Sequence, residues 1–173
     1  VLYMLPEIAL TAQLIGRMRD HFGDAVIVYH SRLTDNRRAD VYRRLIGGSG
    51  GRLVVGVRSS VLLPLPLLSL VIVDAEHENS FKQADSAPRD HGRDTAVMLA
   101  ALCGAKTLLG SATPSVESYF NAATGKYGLV TLAERYGGAV LPRVIVSDTL
   151  RAAKRGEKRS HFNKVLLDRI GEA

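Results

Sequence analysis

The first 110 residues alternate short β-branched apolar runs with longer segments whose apolar residues recur at helical spacing. Residues 1–5, 25–29, 52–55, 70–73 and 106–109 form the runs and predict strands, since branched side chains fit a pleated surface and each run is too short for a helix. Leu70, Val71, Ile72 and Val73 show no alternation, the pattern of a strand buried on both faces of a parallel sheet. Between the runs, Ile8, Ala12, Ile15, Met18 and Phe22 share one helical face that begins near Pro6. Thr34 caps a second helix with Val41, Tyr42 and Leu45 inward, and Ala96, Leu99, Ala100 and Cys103 mark a third. Thr113 and Pro114 read as N-cap and first residue of a fourth, which runs to about Ala123 and stops at Gly125. Residues 129–132 and 143–146 are further strand candidates, and Phe162, Val165, Leu166, Arg169 and Ile170 predict a last helix. Strands alternating with helices predict an α/β fold, a parallel sheet flanked by helices.

The predicted strands end on polar residues. Asp74 closes the 70–73 run and is followed by Glu76 and His77; the 106–109 run leads into Gly110-Ser111-Ala112-Thr113-Pro114. His30 and Ser31 follow the second run, and Arg58, Ser59 and Ser60 follow the third. Carboxyl ends of parallel strands are where open α/β sheets bind ligands, although a single acid there also serves simply to cap a turn. An arginine among small hydroxyls suits a phosphodiester. The polar stretch 78–83 carries one aromatic, Phe81, beside Lys82, and Arg89 and Arg93 follow; one ring with cations around it is the equipment for gripping single-stranded nucleic acid. The glycine-rich residues 47–51 read as a flexible connector from helix to strand, because no G-x-x-x-x-G-K-[ST] occurs in the chain.

Composition narrows the partner. A formal net charge of +6 and a pI near 9.7 favour an anionic partner, nucleic acid before membrane. Residues 151–160 hold five basic residues against one acid and read as a solvated linker. The single cysteine, Cys103, excludes an intrachain disulfide and reads as a small core residue in a reducing cytoplasm. The longest apolar stretch, residues 61–73, contains Pro64 and Pro66 and falls short of the roughly 20 residues of a membrane span. The chain opens directly on an apolar run, as a piece of a longer protein would.

Five ordered pieces carry a family resemblance: PEIALT from Pro6, YHSRLTD from Tyr29, VVGVRSSVLLP from Val54, VDAEHENSFKQ from Val73 and LGSATPSVES from Leu109. The chain resembles the first motor lobe of the primosomal protein N′ (PriA) replication-restart helicases of superfamily 2, through APRDHGRD at residues 87–94 and more weakly after about Arg135. The resemblance implies a partial RecA-like lobe over residues 1–135, lacking the P-loop strand and helix, a connecting segment and basic linker over 136–160, and the start of a second lobe at 161–173. It implies an ATP-dependent 3′-5′ DNA helicase of the bacterial cytoplasm, associated with the nucleoid, that acts in replication restart on forked and single-stranded DNA. Single-stranded-DNA-binding protein and primosome proteins would be its partners, ATP and Mg2+ its cofactors, and zinc would belong to a region outside this chain.

By position, the resemblance makes Asp74 the holder of magnesium through the nucleotide. It places Asp74, Glu76, His77, Ser111 and Thr113 in the catalytic set and Thr11, Arg58, Ser59, Phe81, Lys82, Arg89 and Arg93 against DNA. The sequence departs from the family at Ala75, where Asp-Glu-Glu-His has a glutamate expected to orient the attacking water; Glu76 stands next along the chain and points in a different direction. Asp90 replaces an aromatic and Gly92 an alanine. Without a phosphate loop, this stretch alone is expected to be inactive. The alternative is a basic DNA-binding or partner-docking module, a degenerate lobe without hydrolysis.

Overall fold

The computed structural model describes the chain except for residues 49–52, 85, 86, 88, 139, 141 and 173, so most of the glycine-rich connector and the predicted strand start at Arg52 lie outside the described residues. By close contacts the chain divides into two compact units, Val1–Leu129 and Val130–Ala173. The first holds the strands β1 (Leu2–Met4), β2 (Val26–Tyr29), β3 (Leu53–Gly56), β4 (Leu70–Asp74) and β5 (Lys106–Gly110). They form one parallel sheet in the order β2-β3-β1-β4-β5. Because all five run the same way, their carboxyl ends meet at one edge. The chain passes from β1 to β2 on one side and builds β4 and β5 on the other, which puts the topological switch at β1 and β4.

Alternation along the strands sorts side chains to the two faces. Leu2, Met4, Ile27, Val54, Val71 and Val73 face helices α2 (Asp35–Ile46) and α3 (Gly92–Leu102), joined there by Leu45, Val61, Phe81, Ala96 and Ala100. Leu5, Val26 and Val55 face α1 (Ala12–Phe22) through Leu14 and Met18. Full burial of side chains like these stabilises by about 1.5–3 kcal/mol each, enough for two such layers to fix the register. The small packing of α1 is limited to β1, β2 and β3, so β4 is buried on one face and only half-buried at Leu70 and Ile72, against the expectation of burial on both.

Several predicted boundaries shift for local reasons. Pro6 leads into a single 3-10 turn (Glu7–Ala9), and α1 starts only after Thr11, whose hydroxyl accepts the Leu14 N–H at 3.2 Å. Ile8 and Phe22 are therefore exposed, not part of the buried stripe. Thr34 caps α2 as predicted, whereas α4 (Val116–Ala123) is capped by Ser115, not Thr113. Cys103 ends α3 and is exposed, not core.

Residues 129–132 and 143–146, expected as strands, pair with no strand among the described residues. The basic segment expected as a linker instead contributes α5 (Thr149–Lys154), capped by Asp148, and one strand of a short antiparallel hairpin, β6 (Lys158–Arg159) and β7 (Phe162–Asn163). The final helix, α6 (Lys164–Glu172), forms where predicted, with Asn163 accepting the Leu166 N–H at 2.9 Å. Among the described residues no helix is long and apolar enough to cross a membrane.

Candidate functional site

At the switch point, Asp74 ends β4 with its carboxylate exposed and both oxygens held: Tyr3 Oη donates to Oδ2 at 2.7 Å and the Ala75 N–H to Oδ1 at 2.9 Å. Burial, and then the neighbouring Asp74 carboxylate, push the Tyr3 phenol above its ordinary pKa, so it stays a proton donor to Asp74. Tyr3 was not anticipated, although a hydroxyl-bearing ring in an aliphatic run was its signal. Ala75 takes a left-handed backbone conformation (φ 49°), a sharp turn of the chain straight after the acid. The Glu76 N–H then donates to Gly110 O at 3.1 Å, continuing the β4–β5 pairing beyond the strand proper.

Two of the predicted tips meet directly. His77 Nδ1 and Ser111 Oγ share a hydrogen bond of 2.6 Å, and the Thr113 N–H donates to the same hydroxyl at 3.0 Å. His77 Nε2 lies 3.8 Å from Glu78 Oε1. Ser111 and Thr113 are exposed and His77 half-buried, so this junction of β4 and β5 faces solvent beside Asp74.

Glu76 and Arg93 go elsewhere. The Glu76 side chain is 1% exposed and accepts four hydrogen bonds: Ser115 N–H (2.7 Å), Ser115 Oγ (2.9 Å), Ser118 Oγ (2.9 Å) and Arg93 Nη1 (2.9 Å). Arg93, 8% exposed, also donates to Ser115 Oγ at 2.6 Å and to Asp94 Oδ1 at 2.8 Å. Burial by itself would raise the Glu76 pKa, but the donors from Ser115, Arg93 and Ser118 together outweigh it and hold the carboxyl below its usual range. Burial likewise opposes the charge on Arg93, and Asp94 and Glu76 outweigh it, raising its pKa. Arg93, expected against DNA, is thus committed to a buried ion pair. Glu76, expected in the catalytic set, is enclosed by donors from two helices. Sequence reasoning missed Ser115 and Ser118, whose spacing of three at a helix start was the available signal.

Of the remaining candidates, Arg58, Ser59, Phe81 and Lys82 line a cleft of about 470 Å3, together with Pro6, Glu7 and Ser31 among others. Arg58 and Ser59 stand on a 3-10 turn (Arg58–Leu62) that follows β3, with the Ser59 hydroxyl buried and without a hydrogen-bond partner among the described residues. Ser31 Oγ donates to Glu7 Oε1 at 2.7 Å across the β1 and β2 tips. Lys82 is exposed and bridges to His91, closing a loop on which Arg89 is also exposed. Thr11 caps α1 and does not line the cleft. Phe81, expected as a stacking ring, is 1% exposed in the main core: the turn Asn79–Phe81 tucks it inward.

No family model matches the chain. Over 170 residues, 98% of its length, it is 40% identical to the replication restart protein PriA of Rickettsia prowazekii (strain Madrid E), of which it covers 26%. Replication restart protein PriA of Chlamydia pneumoniae and that of Bacillus subtilis (strain 168) are each 38% identical over 169 residues, with 22% and 21% of their lengths covered. The chain spans about a quarter of the length of these curated relatives.

Proposed function

We infer that this chain, which belongs to the replication restart protein PriA family over the segment it spans, is part of the first motor lobe of an ATP-dependent DNA helicase that serves replication restart. The observation that carries the reading is the 2.6 Å bond between His77 and Ser111, which joins the two strand tips at the edge where the Arg58, Ser59 and Lys82 cleft opens. In this reading Asp74 faces the nucleotide, and the cleft cations Arg58 and Lys82 take the DNA backbone by charge-assisted hydrogen bonds.

Asp74 suits a magnesium ion held through nucleotide phosphates, a setting in which one protein carboxylate suffices. Among the described residues no three His, Cys, Asp or Glu gather to hold an ion without them. When bound, the magnesium nucleotide supplies charge neutralisation across the phosphates. The chain's own part is to aim Asp74 through Tyr3 and the Ala75 amide, and to report on the nucleotide through hydrogen bonds at His77 and Ser111 that change partners. Forked and single-stranded DNA, single-stranded-DNA-binding protein and primosome proteins are the proposed partners, in a bacterial cytoplasmic setting.

A second reading, a DNA-binding lobe without hydrolysis, is favoured by one observation: Ala75 offers no carboxylate beside Asp74, and Glu76 is occupied by Ser115, Ser118 and Arg93. The test is phosphate release by the full-length protein with and without single-stranded DNA, in the wild-type sequence, Asp74→Asn and Ala75→Glu. DNA-stimulated release that disappears in Asp74→Asn supports the motor. Silence in the wild type with activity gained in Ala75→Glu supports the degenerate lobe. Robust release that is equal in wild type and Asp74→Asn overturns both.

A further inference from the structure

The far edge of the sheet belongs neither to the switch point nor to the Arg58 cleft. β2 ends the strand order, with β3 on one side and no strand among the described residues on the other. Its open side lies at the bottom of a trench of about 370 Å3. Val26, Ile27 and Val28 all line it, and because alternate residues of a strand face opposite ways, lining by three in succession means that the trench follows the strand edge and not one face of the sheet. α1 forms one wall through Ile15 and Arg19, and α2 with its approach forms the other through Leu33, Arg37, Val41 and Arg44. Tyr29 O accepts the Val57 N–H on the β3 side at 3.3 Å, so by alternation the N–H and C=O of Val28 point outward. The C=O of Val26 points the same way, while its N–H goes to Gly23 O.

The rim of the trench is basic. Its acid, Asp40, is matched by Arg43 at 2.8 Å, whereas Arg19, Arg37 and Arg44 are exposed and in no ion pair among the described residues. Arg37 and Arg44 lie on one side of α2 about two turns or 10 Å apart, the length of roughly three strand residues. An unpaired strand edge is a template for another extended chain, and here the fit is narrow. Two copies joined edge to edge would set these arginines against each other, a destabilising like-charge contact. A phosphodiester backbone would satisfy the arginines but brings no donor for the Val26 and Val28 carbonyls and no apolar surface for Ile15, Leu33 and Val41. We propose that the open edge of β2 is a docking site for an extended, acidic segment of a partner protein. The segment adds a strand to the sheet, with apolar residues over the trench floor and carboxylates against Arg19, Arg37 and Arg44. Main-chain bonds to Val26 and Val28 set its register, and the arginines select acids by charge-assisted hydrogen bonds. None of these residues belongs to the nucleotide or DNA set, so the site stands apart from the motor reading.

The test is fluorescence anisotropy of the full-length protein with a labelled peptide of about ten residues, blocked at both ends, whose centre alternates valine and threonine and whose ends carry paired glutamates. Its companions are the same peptide with lysine for glutamate, the same peptide N-methylated at alternate central residues, which removes strand hydrogen bonds and keeps the charge, and an oligothymidylate competitor. The protein variants are Arg37→Glu, Arg44→Glu and Val28→Pro. The first two change exposed side chains, and the third removes an outward N–H at an edge, where proline is tolerated; thermal unfolding checks that each folds, and the N-methylated peptide makes the same test as Val28→Pro on an unaltered protein. The acidic peptide binds the wild type, each charge reversal weakens it by about three- to tenfold, Val28→Pro weakens it without a change of charge, and the lysine and N-methylated peptides do not bind over the same range. Absence of binding by the acidic peptide overturns the proposal. So does an N-methylated peptide that binds as tightly as its parent and is displaced by oligothymidylate, the behaviour of a general polyanion surface. Self-association of the wild type that blocks the peptide and is altered by Arg37→Glu gives the edge to a second copy and overturns it as well.

Discussion

Replacing Glu76 with alanine removes the one acceptor shared by four donors while leaving Arg93 8% exposed. The four bonds do not simply add, because Arg93 keeps Asp94 and Ser115 and the two hydroxyls can turn to other acceptors. What remains is a buried guanidinium whose nearest compensating charge, Asp94, is largely exposed. Breaking one side of a buried pair costs about 3–5 kcal/mol, which for a domain of this size lowers the Tm by roughly 6–20 °C. Glu76→Gln keeps the shape and most donors, and at the strength of hydrogen bonds to charged groups its cost is about 1.5–3 kcal/mol. Urea unfolding of this chain followed by circular dichroism, at pH 7 and in steps down to pH 3, checks both numbers. The folded carboxyl titrates below its ordinary value of 4.5, so its contribution is fully present above that pH and is lost as pH falls through the folded value. The gap between wild type and Glu76→Gln should therefore hold from pH 7 to about 5 and narrow progressively as pH falls below 4.5. A loss under about 1 kcal/mol in Glu76→Ala, or a gap unchanged down to pH 3, would refute the charged cluster as the source of stability.

Three other outcomes follow from the packing. Phe81→Ala should cost about 3–5 kcal/mol in the same unfolding assay; a stable variant with weakened DNA binding alone would return Phe81 to the surface as a stacking ring. Gly56→Ala would place a Cβ 2.5 Å from Ser60 Cβ and 2.9 Å from Tyr29 O, so it should cost about 1–3 kcal/mol or more and disturb the turn that carries Arg58 and Ser59. Ala75→Gly relieves a left-handed alanine, which costs about 1–2 kcal/mol, against a glycine entropy penalty of about 0.5–1 kcal/mol, so thermal unfolding should show unchanged or slightly raised stability.

The parallel sheet and its polar edge were legible because branched apolar runs ended so regularly on ionisable or hydroxyl residues: Asp74 after Val73, Ser111 after Gly110, Arg58 after Val57. The family assignment was legible for the same reason, in the order of those tips. What was hidden depended on local geometry that spacing does not encode. Phe81 stands in a polar stretch that reads as surface, and only the 3-10 turn at Asn79–Phe81 buries it. Arg93 looked like one more cation of a DNA-facing loop because its partner, Glu76, is 17 residues away and lies across the fold. Tyr3 and Asp74 are 71 residues apart and meet only through the β1–β4 pairing. Thr113 and Ser115 compete for the same cap, and the hydroxyl in reach of Ser118 N–H takes it.

The central claim is that the tips of β4 and β5 convert a bound nucleotide into a change at the DNA cleft, and the His77–Ser111 bond is the contact to break. The measurement is the affinity of the full-length protein for single-stranded DNA, with and without a magnesium ATP analogue, in wild type and Ser111→Ala. The account predicts a nucleotide-dependent change of several-fold in wild type, in the usual range for allosteric coupling, and its loss in Ser111→Ala with nucleotide-free affinity preserved. An affinity indifferent to nucleotide in the wild type, yet steeply salt-dependent, would contradict it and leave a basic binding lobe in its place.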